Sequence, residues 1–393
     1  MLDATDKVVT PGLVDLHVHL REPGFEYKET IATGTRAAVM GGFTTICAMP
    51  NTGPVIDRPE RVADLLERIA KSAYCRVLPI GAATLDHKNE EFTDFAALKA
   101  AGCVAISDDA FPLQRMDEMV EALTRAGQAD LPFIAHCELK GLSRDGVVDR
   151  SAERLVDAPV QETLAEAASV RLWLAALDRV ASDPRRGVQP HLHFAHVSTR
   201  AALEAMARHV RQGRSIEKPW GFVTRETAPH YLSLSSEAVS RHGAAAKMNP
   251  PLRSAADVEA VRWTTGCLDV CAVATDHAPH SPEEKAAGLL EAPFGIVGLE
   301  TALPVVRAEI GLDAALARMS YFPSDIFGLG RGVLQEGAPA DVIVIDPQAR
   351  WQVDPSRFES KGRASPWAGE WLAGRVCATF VGGNLRMRDG VIL

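Results

Sequence analysis

Short apolar runs alternate with segments of helical periodicity along most of the chain. The run at residues 13–19 alternates apolar and polar positions, which is typical of a strand with one buried face. The segments Glu29–Met40 and Pro59–Ala73 predict helices. Eight runs predict strands: Leu13–His19, Phe43–Met49, Arg76–Ile80, Val104–Ile106, Phe133–Ala135, Leu192–Ala195, Val223–Thr227 and Val270–Thr275.

This alternation predicts an α/β fold with a parallel sheet, because parallel neighbours are joined by crossover segments that are usually helices. Eight such strand–helix units within roughly 300 residues favour a closed (β/α)₈ barrel of the TIM type over an open doubly wound sheet. No phosphate-binding glycine loop follows the first strand, which weakens a nucleotide-binding alternative.

The pattern changes after about residue 332, where β-type runs are separated by turn residues. We therefore predict a barrel over residues 11–332 and a small β domain formed by residues 1–10 together with 333–393. Because so few residues precede the barrel, this β domain is expected to be incomplete, with unpaired strand edges. The stretches Ala181–Pro190 and Gln212–Gly221 predict surface loops.

Composition and charge narrow the classes of function. The chain has 393 residues, 47% hydrophobic and 24% charged, which is ordinary for a globular protein with a sizeable core. Its net charge of −9 argues against general binding to nucleic acid or an anionic membrane, which requires a basic surface. No apolar stretch reaches the roughly 18 residues of a membrane-spanning helix. Seven cysteines without C-x-x-C spacing favour a reducing compartment, so we expect a cytoplasmic protein.

The strongest local signal for chemistry is the run Asp15–Arg21 at the end of the first strand. Side chains alternate across a strand, so His17, His19 and Arg21 should point the same way. Two imidazoles on one face can share a metal ion, since neutral histidine is a common zinc ligand. Two half-buried structural histidines would give the same pattern, so this spacing alone does not establish a metal site.

Further candidate ligands follow the ends of later strands. They are Asp108 and Asp109, His136, His196, and Asp276. Enzymes with a (β/α)₈ barrel keep their active sites at the carboxyl ends of the strands, so these side chains should converge there. Together they predict a metal centre at that end of the barrel.

Several longer motifs contain these candidates: His17–Gly24, Glu26–Thr30, Met49–Thr52, Ser107–Asp109, Ala135–Glu138, His196–Thr199, Lys247–Arg253, Ala274–His280 and Ala292–Gly298. On these motifs the chain resembles the cyclic amidohydrolase superfamily and, more narrowly, the bacterial class I dihydroorotases. The resemblance covers nearly the whole chain. The motifs are highly specific in combination, although H-x-H alone is not.

This resemblance implies two zinc ions per chain. The implied metal ligands are His17, His19, Asp109, His136, His196 and Asp276. Asp109 would bridge the two ions. Many relatives use a carbamylated lysine as the bridge, but no lysine occurs between Ala100 and Leu139 in this sequence. Asp108 is then expected to be structural.

The resemblance also implies the reaction, a reversible cyclisation of N-carbamoyl-L-aspartate to L-dihydroorotate plus water in de novo pyrimidine (UMP) biosynthesis. Asp276 would be the catalytic residue that moves a proton between water and the ring nitrogen. Arg21 would bind the substrate carboxylate, which a planar guanidinium matches better than lysine does. The other implied substrate contacts are Asn51, Asn249, His280, Phe294 and Gly295.

Two other functions stay open at this point. One is an allantoinase or hydantoinase, which shares the zinc scaffold; Arg21 favours a carboxylated substrate instead. The other is a non-catalytic scaffold for aspartate transcarbamoylase, although such chains tend to lose metal ligands. An active enzyme could also associate with aspartate transcarbamoylase, and we expect a homo-oligomer.

The remaining histidines are expected to pack or to face solvent. His191 and His193 form a second H-x-H, but both precede the strand end occupied by His196, so they are predicted to pack inside the sheet. His87 and His209 are predicted to be exposed.

Overall fold

The computed structural model describes residues 3–183, 187–211, 223–267 and 271–393. The predicted loop Gln212–Gly221 therefore lies outside the described residues, as does part of the loop Ala181–Pro190. The β-strands are β1 (Val8–Pro11), β2 (Leu13–Val18), β3 (Phe43–Ala48), β4 (Arg76–Ala82), β5 (Ala105–Ser107), β6 (Pro132–Ala135), β7 (Val148–Asp149), β8 (Val160–Gln161), β9 (His191–Phe194), β10 (Val223–Thr227), β11 (Ala272–Val273), β12 (Val342–Gln352), β13 (Trp371–Val381), β14 (Asn384–Arg388) and β15 (Val391–Ile392).

Helices follow most of the barrel strands. They are α1 (Ile31–Gly41), α2 (Pro59–Ser72), α3 (Phe95–Ala101), α4 (Met116–Ala129), α5 (Lys140–Ser143), α6 (Leu164–Ala181), α7 (Arg200–Arg211), α8 (Pro229–Ser233), α9 (Glu237–His242), α10 (Ala255–Gly266), α11 (Pro282–Ala286), α12 (Gly288–Glu291), α13 (Ala302–Ile310), α14 (Leu312–Leu316) and α15 (Phe322–Ile326). No helix within the described ranges has both the length and the apolar character that crossing a bilayer requires.

Eight parallel strands form the central sheet, in the order β11–β10–β9–β6–β5–β4–β3–β2. The two ends of this order meet through a parallel bridge between Val18 and His277. The His19 N–H also donates to the carbonyl of His277 at 2.9 Å. The predicted (β/α)₈ barrel is therefore confirmed.

A small apolar cluster fills the inside of the barrel. Leu16 and Ile134 belong to it although they come from separate strands, β2 and β6, and Ile326 joins them from α15. Phe327 packs against the same cluster, and its ring lies 6.4 Å from that of His191 at the start of β9. This segment therefore closes the amino-terminal end of the barrel, so that the opposite end is left for a site.

The first barrel helix starts two residues later than the predicted Glu29–Met40. Thr30 caps it, because its side chain accepts a hydrogen bond from the Thr33 N–H at 3.1 Å and its own backbone is extended. The helix ends before Gly42, whose φ of +89° suits glycine. The difference is a capping turn, which residue spacing alone does not resolve.

A second sheet is antiparallel and has the order β1–β12–β13–β14–β15. The amino-terminal segment contributes β1, with Val8 opposite Ile345, and β1 and β15 are the outer strands of this sheet. The sheet joins the barrel where the Gly12 N–H donates to the Asp341 carbonyl at 2.9 Å and Arg76 pairs with the Asp341 carboxylate at 2.6 Å. The division of the chain at residues 11 and 333 stays a prediction.

Candidate metal centre and active site

Asp109 lies at the centre of the predicted metal-binding residues. Its carboxylate oxygens are 3.5 Å from His17 Nε2 and 3.6 Å from His19 Nε2. They are also 3.3 Å from His136 Nδ1 and 3.7 Å from His196 Nε2. None of the five side chains belongs to a residue that is more than 6% exposed. The fold thus gathers, in one buried place, side chains that the sequence places after four separate strands.

Asp276 completes this cluster after β11. Its Oδ1 lies 3.3 Å from His19 Nε2 and 3.6 Å from His17 Nε2. Three predicted site residues have a left-handed backbone, with φ of +61° at Arg21, +32° at His196 and +48° at Asp276. Such a conformation costs a non-glycine residue about 1–3 kcal/mol, and it persists only where the surroundings impose it. These turns at the strand ends direct the side chains into the site.

Glu226, in β10, holds one ring nitrogen of His17. It accepts hydrogen bonds from His17 Nδ1 at 2.9 Å and from His193 Nε2 at 3.2 Å. Burial alone would raise the pKa of Glu226, but these two hydrogen bonds outweigh it and lower the pKa to about 2. An ionised carboxylate only accepts, so His17 carries a proton on Nδ1, and its Nε2 faces Asp109.

The contact between Glu226 and His193 also bears on the second H-x-H, formed by His191 and His193. His193 packs beneath the site, and its Nδ1 lies 2.8 Å from Thr224 Oγ1, which confirms the predicted packing role. Sequence reasoning assigned no function to Glu226. The available signal was a carboxylate in the middle of a run predicted to be a buried strand.

Asn51 orients His19 in a similar way. His19 Nδ1 donates to Asn51 Oδ1 at 2.8 Å, and Asn51 Nδ2 donates to Asp109 Oδ2 at 3.2 Å. The proton is therefore on Nδ1 of His19, and Nε2 faces the two aspartates. Asn51 was predicted as a substrate contact, and the structure adds a bridge between two candidate ligands.

His136 presents Nδ1 to the cluster, 3.0 Å from His196 Nε2. Its other ring nitrogen, Nε2, lies 3.3 Å from Glu138 Oε2. The same oxygen accepts from Asn249 Nδ2 at 3.0 Å and from Lys140 Nζ at 2.9 Å. Glu138 belongs to a motif quoted from the sequence but was given no role there. A carboxylate two residues after a histidine at a strand end was the signal.

Asp108 points away from the cluster although it adjoins Asp109. Its two carboxylate oxygens accept from the Leu113 N–H at 2.9 Å and the His136 N–H at 2.8 Å. Burial raises the pKa of the Asp108 carboxyl to about 7. These contacts hold the turn that carries Asp109, in agreement with the expected structural role.

The chemistry of the cluster fits a divalent metal ion. Two groups of three place one ligand atom per residue within 4.8 Å of the others: His17 with Asp109 and His196, and His17 with His19 and Asp276. His17 Nε2, which faces Asp109, is buried and has no hydrogen-bond partner among the described residues. A buried polar nitrogen without a partner is costly, and imidazole and carboxylate are ordinary zinc ligands.

A cavity of about 280 Å³ opens onto the cluster. The residues predicted to contact substrate all line it: Arg21, Asn51, Asn249, His280, Phe294 and Gly295. Lys140 lines it as well, which the sequence did not indicate. The candidate ligands and the candidate substrate contacts therefore share one cavity.

His280 is neutral and already bonded on both ring nitrogens. Burial and the nearby cations Arg21 and Lys28 lower the pKa of His280 to about 3. Its Nδ1 accepts from Lys28 Nζ at 3.2 Å, and its Nε2 donates to the Phe294 carbonyl at 2.8 Å. Arg21 Nη2 lies 3.3 Å from that same Nε2. Because Nε2 is used as a donor, it does not accept from Arg21, and the Nη2 group is left for a ligand.

The turn at Phe294 and Gly295 requires glycine. Gly295 has a φ of +134°, and a Cβ there would lie 2.4 Å from the Ala278 carbonyl oxygen. The Gly295 N–H donates to the Lys247 carbonyl at 3.0 Å. A carbonyl oxygen accepts two hydrogen bonds, so the Phe294 carbonyl can still receive an N–H of a bound ring.

The prediction that His87 and His209 are exposed is wrong. His87 is 7% exposed and stacks on Phe111, with ring centroids 4.5 Å apart and planes 12° apart. His209 is 6% exposed because it lies three residues after the buried Met206 on the same face of α7. Its Nε2 is 3.7 Å from Asp178 Oδ1.

Solved structures share this fold. L-hydantoinase from Arthrobacter aurescens superposes with a TM-score of 0.86 at 23% identity, covering 100% of this chain and 88% of that one. D-hydantoinase from a Thermus species gives a TM-score of 0.82, also at 23% identity, with coverage of 100% and 87%. At this identity the likeness concerns the fold alone.

Sequence comparison is more specific. A family model described as dihydro-orotase-like matches residues 6–154. The chain is 42% identical to a dihydroorotase of Pelotomaculum thermopropionicum, over 100% of this chain and 90% of that protein. It is 44% identical to a dihydroorotase of Anaeromyxobacter dehalogenans, over 99% and 88%. With that identity over its whole length, the chain belongs to the dihydroorotase family.

Proposed function

We propose that the chain is a class I dihydroorotase, which interconverts N-carbamoyl-L-aspartate and L-dihydroorotate plus water in pyrimidine biosynthesis. The observation that carries this proposal is the position of Arg21 in the wall of the cavity that also exposes His19, Asp109 and Asp276. A carboxylated cyclic amide needs an anion-binding group beside a centre that polarises the amide carbonyl. This cavity offers both.

Two zinc ions would suit the donor set. The residues that would hold them are His17, His19 and Asp276 for one ion, His136 and His196 for the other, and Asp109 for both. The contacts of Asp109 with all four imidazoles support a bridging role. When bound, zinc would polarise a carbonyl oxygen and lower the pKa of water toward neutrality.

Replacing Glu226 with glutamine is expected to weaken zinc binding about 10- to 100-fold, the usual range when a group behind a metal-bound histidine is lost. The amide keeps the shape of the carboxylate but cannot accept from both His17 and His193 through two equivalent oxygens. Competition with a chelator measures the affinity, and Glu162→Gln at the exposed surface is the control. An unchanged chelator curve would count against the orienting role of Glu226.

Asp276 is proposed to carry the proton. Burial alone would raise the pKa of this carboxyl, but the adjacent imidazoles of His19 and His17 hold it below its usual range. The group is then ionised and can accept a proton. In hydrolysis it would take a proton from the attacking water and return it to the departing ring nitrogen; in cyclisation the transfer runs in reverse.

Replacing Arg21 with lysine is expected to raise KM for dihydroorotate about 10-fold or more, with a smaller effect on kcat. Lysine keeps the positive charge and the same left-handed backbone cost, but it loses the two parallel donors that match a carboxylate. Steady-state kinetics with dihydroorotate measure the effect. A variant with the wild-type KM would show that Arg21 does not bind the carboxylate.

The proposed function is tested by assaying the purified protein with dihydroorotate, allantoin and hydantoin, alongside metal analysis. We expect turnover of dihydroorotate and about two zinc ions per chain. Turnover of allantoin or hydantoin alone would support a sister cyclic-amide hydrolase instead. A chain without zinc or turnover would support a non-catalytic scaffold for aspartate transcarbamoylase.

Assembly and location are further parts of the proposal. We expect a homo-oligomer, which light scattering tests. The enzyme could also associate with aspartate transcarbamoylase, which co-purification tests. The proposed place in pyrimidine biosynthesis and the seven free cysteines support a reducing cytoplasm.

A further inference from the structure

Lys285, in the short helix α11, points its ammonium group into the protein. Nζ donates to the carbonyl oxygens of Gly295 at 2.8 Å, Pro293 at 3.0 Å and Lys247 at 3.4 Å. A lysine ammonium has three N–H donors and no acceptor, so three carbonyls use its whole capacity. This is an unusual arrangement for a residue type that ordinarily extends its charge into water.

These carbonyls belong to two segments of the cavity wall. Lys247 lies two residues before Asn249, and Pro293 and Gly295 flank Phe294. Asn249, Phe294 and Gly295 all line the cavity. One direct hydrogen bond joins the two segments, from the Gly295 N–H to the Lys247 carbonyl at 3.0 Å. Lys285, which does not line the cavity, adds three more hydrogen bonds to these segments.

Holding a cation in this place has a cost. Among the described residues no carboxylate lies within 4.0 Å of Lys285 Nζ. Burial and the Lys247 ammonium lower the pKa of Lys285 to about 7, and the nearby Glu284 carboxylate offsets them in part. A partly buried ammonium without a carboxylate is unfavourable by itself. The carbonyl contacts must offset that cost, so the ammonium and the two segments hold each other in place.

We propose that Lys285 is a positioning residue that joins the Asn249 segment to the Phe294–Gly295 turn and so sets the shape of the substrate cavity. The inference rests on the proposed function, since the role of this wall in substrate binding is itself proposed. Lys285 does not line the cavity and acts only through the backbone atoms that it bonds.

The contacts of the turn explain how a shift there would reach the substrate. The Phe294 carbonyl accepts from His280 Nε2 at 2.8 Å, and His280 lies beside Arg21. If the turn moves, His280 loses its acceptor, and its ring is no longer held in position beside Arg21. Loss of Lys285 should therefore weaken substrate binding more than it slows the chemical step. Asn249 does contact the candidate ligand His136, at 3.4 Å, but Glu138 also holds that ring.

The test uses the full chain with zinc supplied, as wild type, Lys285→Met, Lys285→Arg, and the control Lys99→Met on the outer surface. Hydrogen exchange followed by mass spectrometry reports on peptides that contain residues 246–249 and 293–297. We expect Lys285→Met to speed exchange in these peptides and nowhere else, and to raise KM for dihydroorotate about 10- to 100-fold with a smaller change in kcat. Lys285→Arg, which keeps a cation with several donors, should restore part of both losses.

Two results would overturn the proposal. One is unchanged exchange in both peptides of Lys285→Met. The other is exchange that rises throughout the chain while kcat and KM change together, which would mark a general structural role. If Lys285→Met does not fold, the same measurements are made on Lys285→Arg. We then expect exchange in the two peptides to be somewhat faster, and KM somewhat higher, than in the wild type. If the wild type does not turn over dihydroorotate, hydrogen exchange alone still tests whether Lys285 joins the two segments. Failure of the proposed function can therefore be told apart from failure of this inference.

Discussion

Asp276→Asn is expected to lower kcat/KM for dihydroorotate by about 10²- to 10⁴-fold, the contribution typical of a positioned acid or base. Asparagine has the same shape as aspartate, but its amide cannot take up a proton at neutral pH. Because the same group would serve both directions, hydrolysis and cyclisation should fall together. Initial rates measured from each substrate at saturating zinc test this.

The backbone at Asp276 makes the substitution informative. Its φ of +48° is left-handed, and asparagine tolerates that region as readily as aspartate does. The matched control is Asp389→Asn, because Asp389 also has a left-handed φ, +50°, but lies in the turn between β14 and β15. Zinc content is measured in parallel, since Asp276 is also a candidate ligand. An Asp276→Asn protein that keeps more than about a tenth of the wild-type rate would exclude the proton-carrying role.

The neighbouring aspartates 108 and 109 are expected to respond in opposite ways. Asp109→Asn should reduce the zinc content below the expected value of about two ions per chain and remove most activity, because a neutral amide is a poor bridge between cations. Asp108→Asn should keep the zinc but destabilise the fold by about 1–3 kcal/mol, since one backbone N–H loses its carboxylate acceptor.

These two variants control for each other, because they make the same chemical change one residue apart. Metal analysis separates the effects. Thermal unfolding of the zinc-free proteins does not, because the Asp109 carboxylate also has partners without zinc, Asn51 and His136 among them. Equal zinc contents in the two variants would contradict the assignment of Asp109 as the bridge.

Much of the fold could be predicted because its signals are local. Alternation of apolar residues identifies strands such as β2 and β10 within a residue or two, and the rhythm of strands and helices selects a barrel. The carboxyl ends of barrel strands meet at one rim, so the positions of His17, Asp109 and Asp276 already implied one site. Local periodicity also has limits, as the burial of His87 shows.

The sequence by itself determined the order of the elements, the barrel and the set of side chains that meet at its carboxyl end, since each follows from short-range pattern and strand position. Only the tertiary structure decided which partner holds each of them: Glu226 for His17, Asn51 for His19, Glu138 for His136 and Lys285 for the turn at Gly295. These pairings join residues from separate elements or depend on strand register and on left-handed turns. Except for His136 and Glu138, which lie two residues apart, no spacing within a single element encodes them.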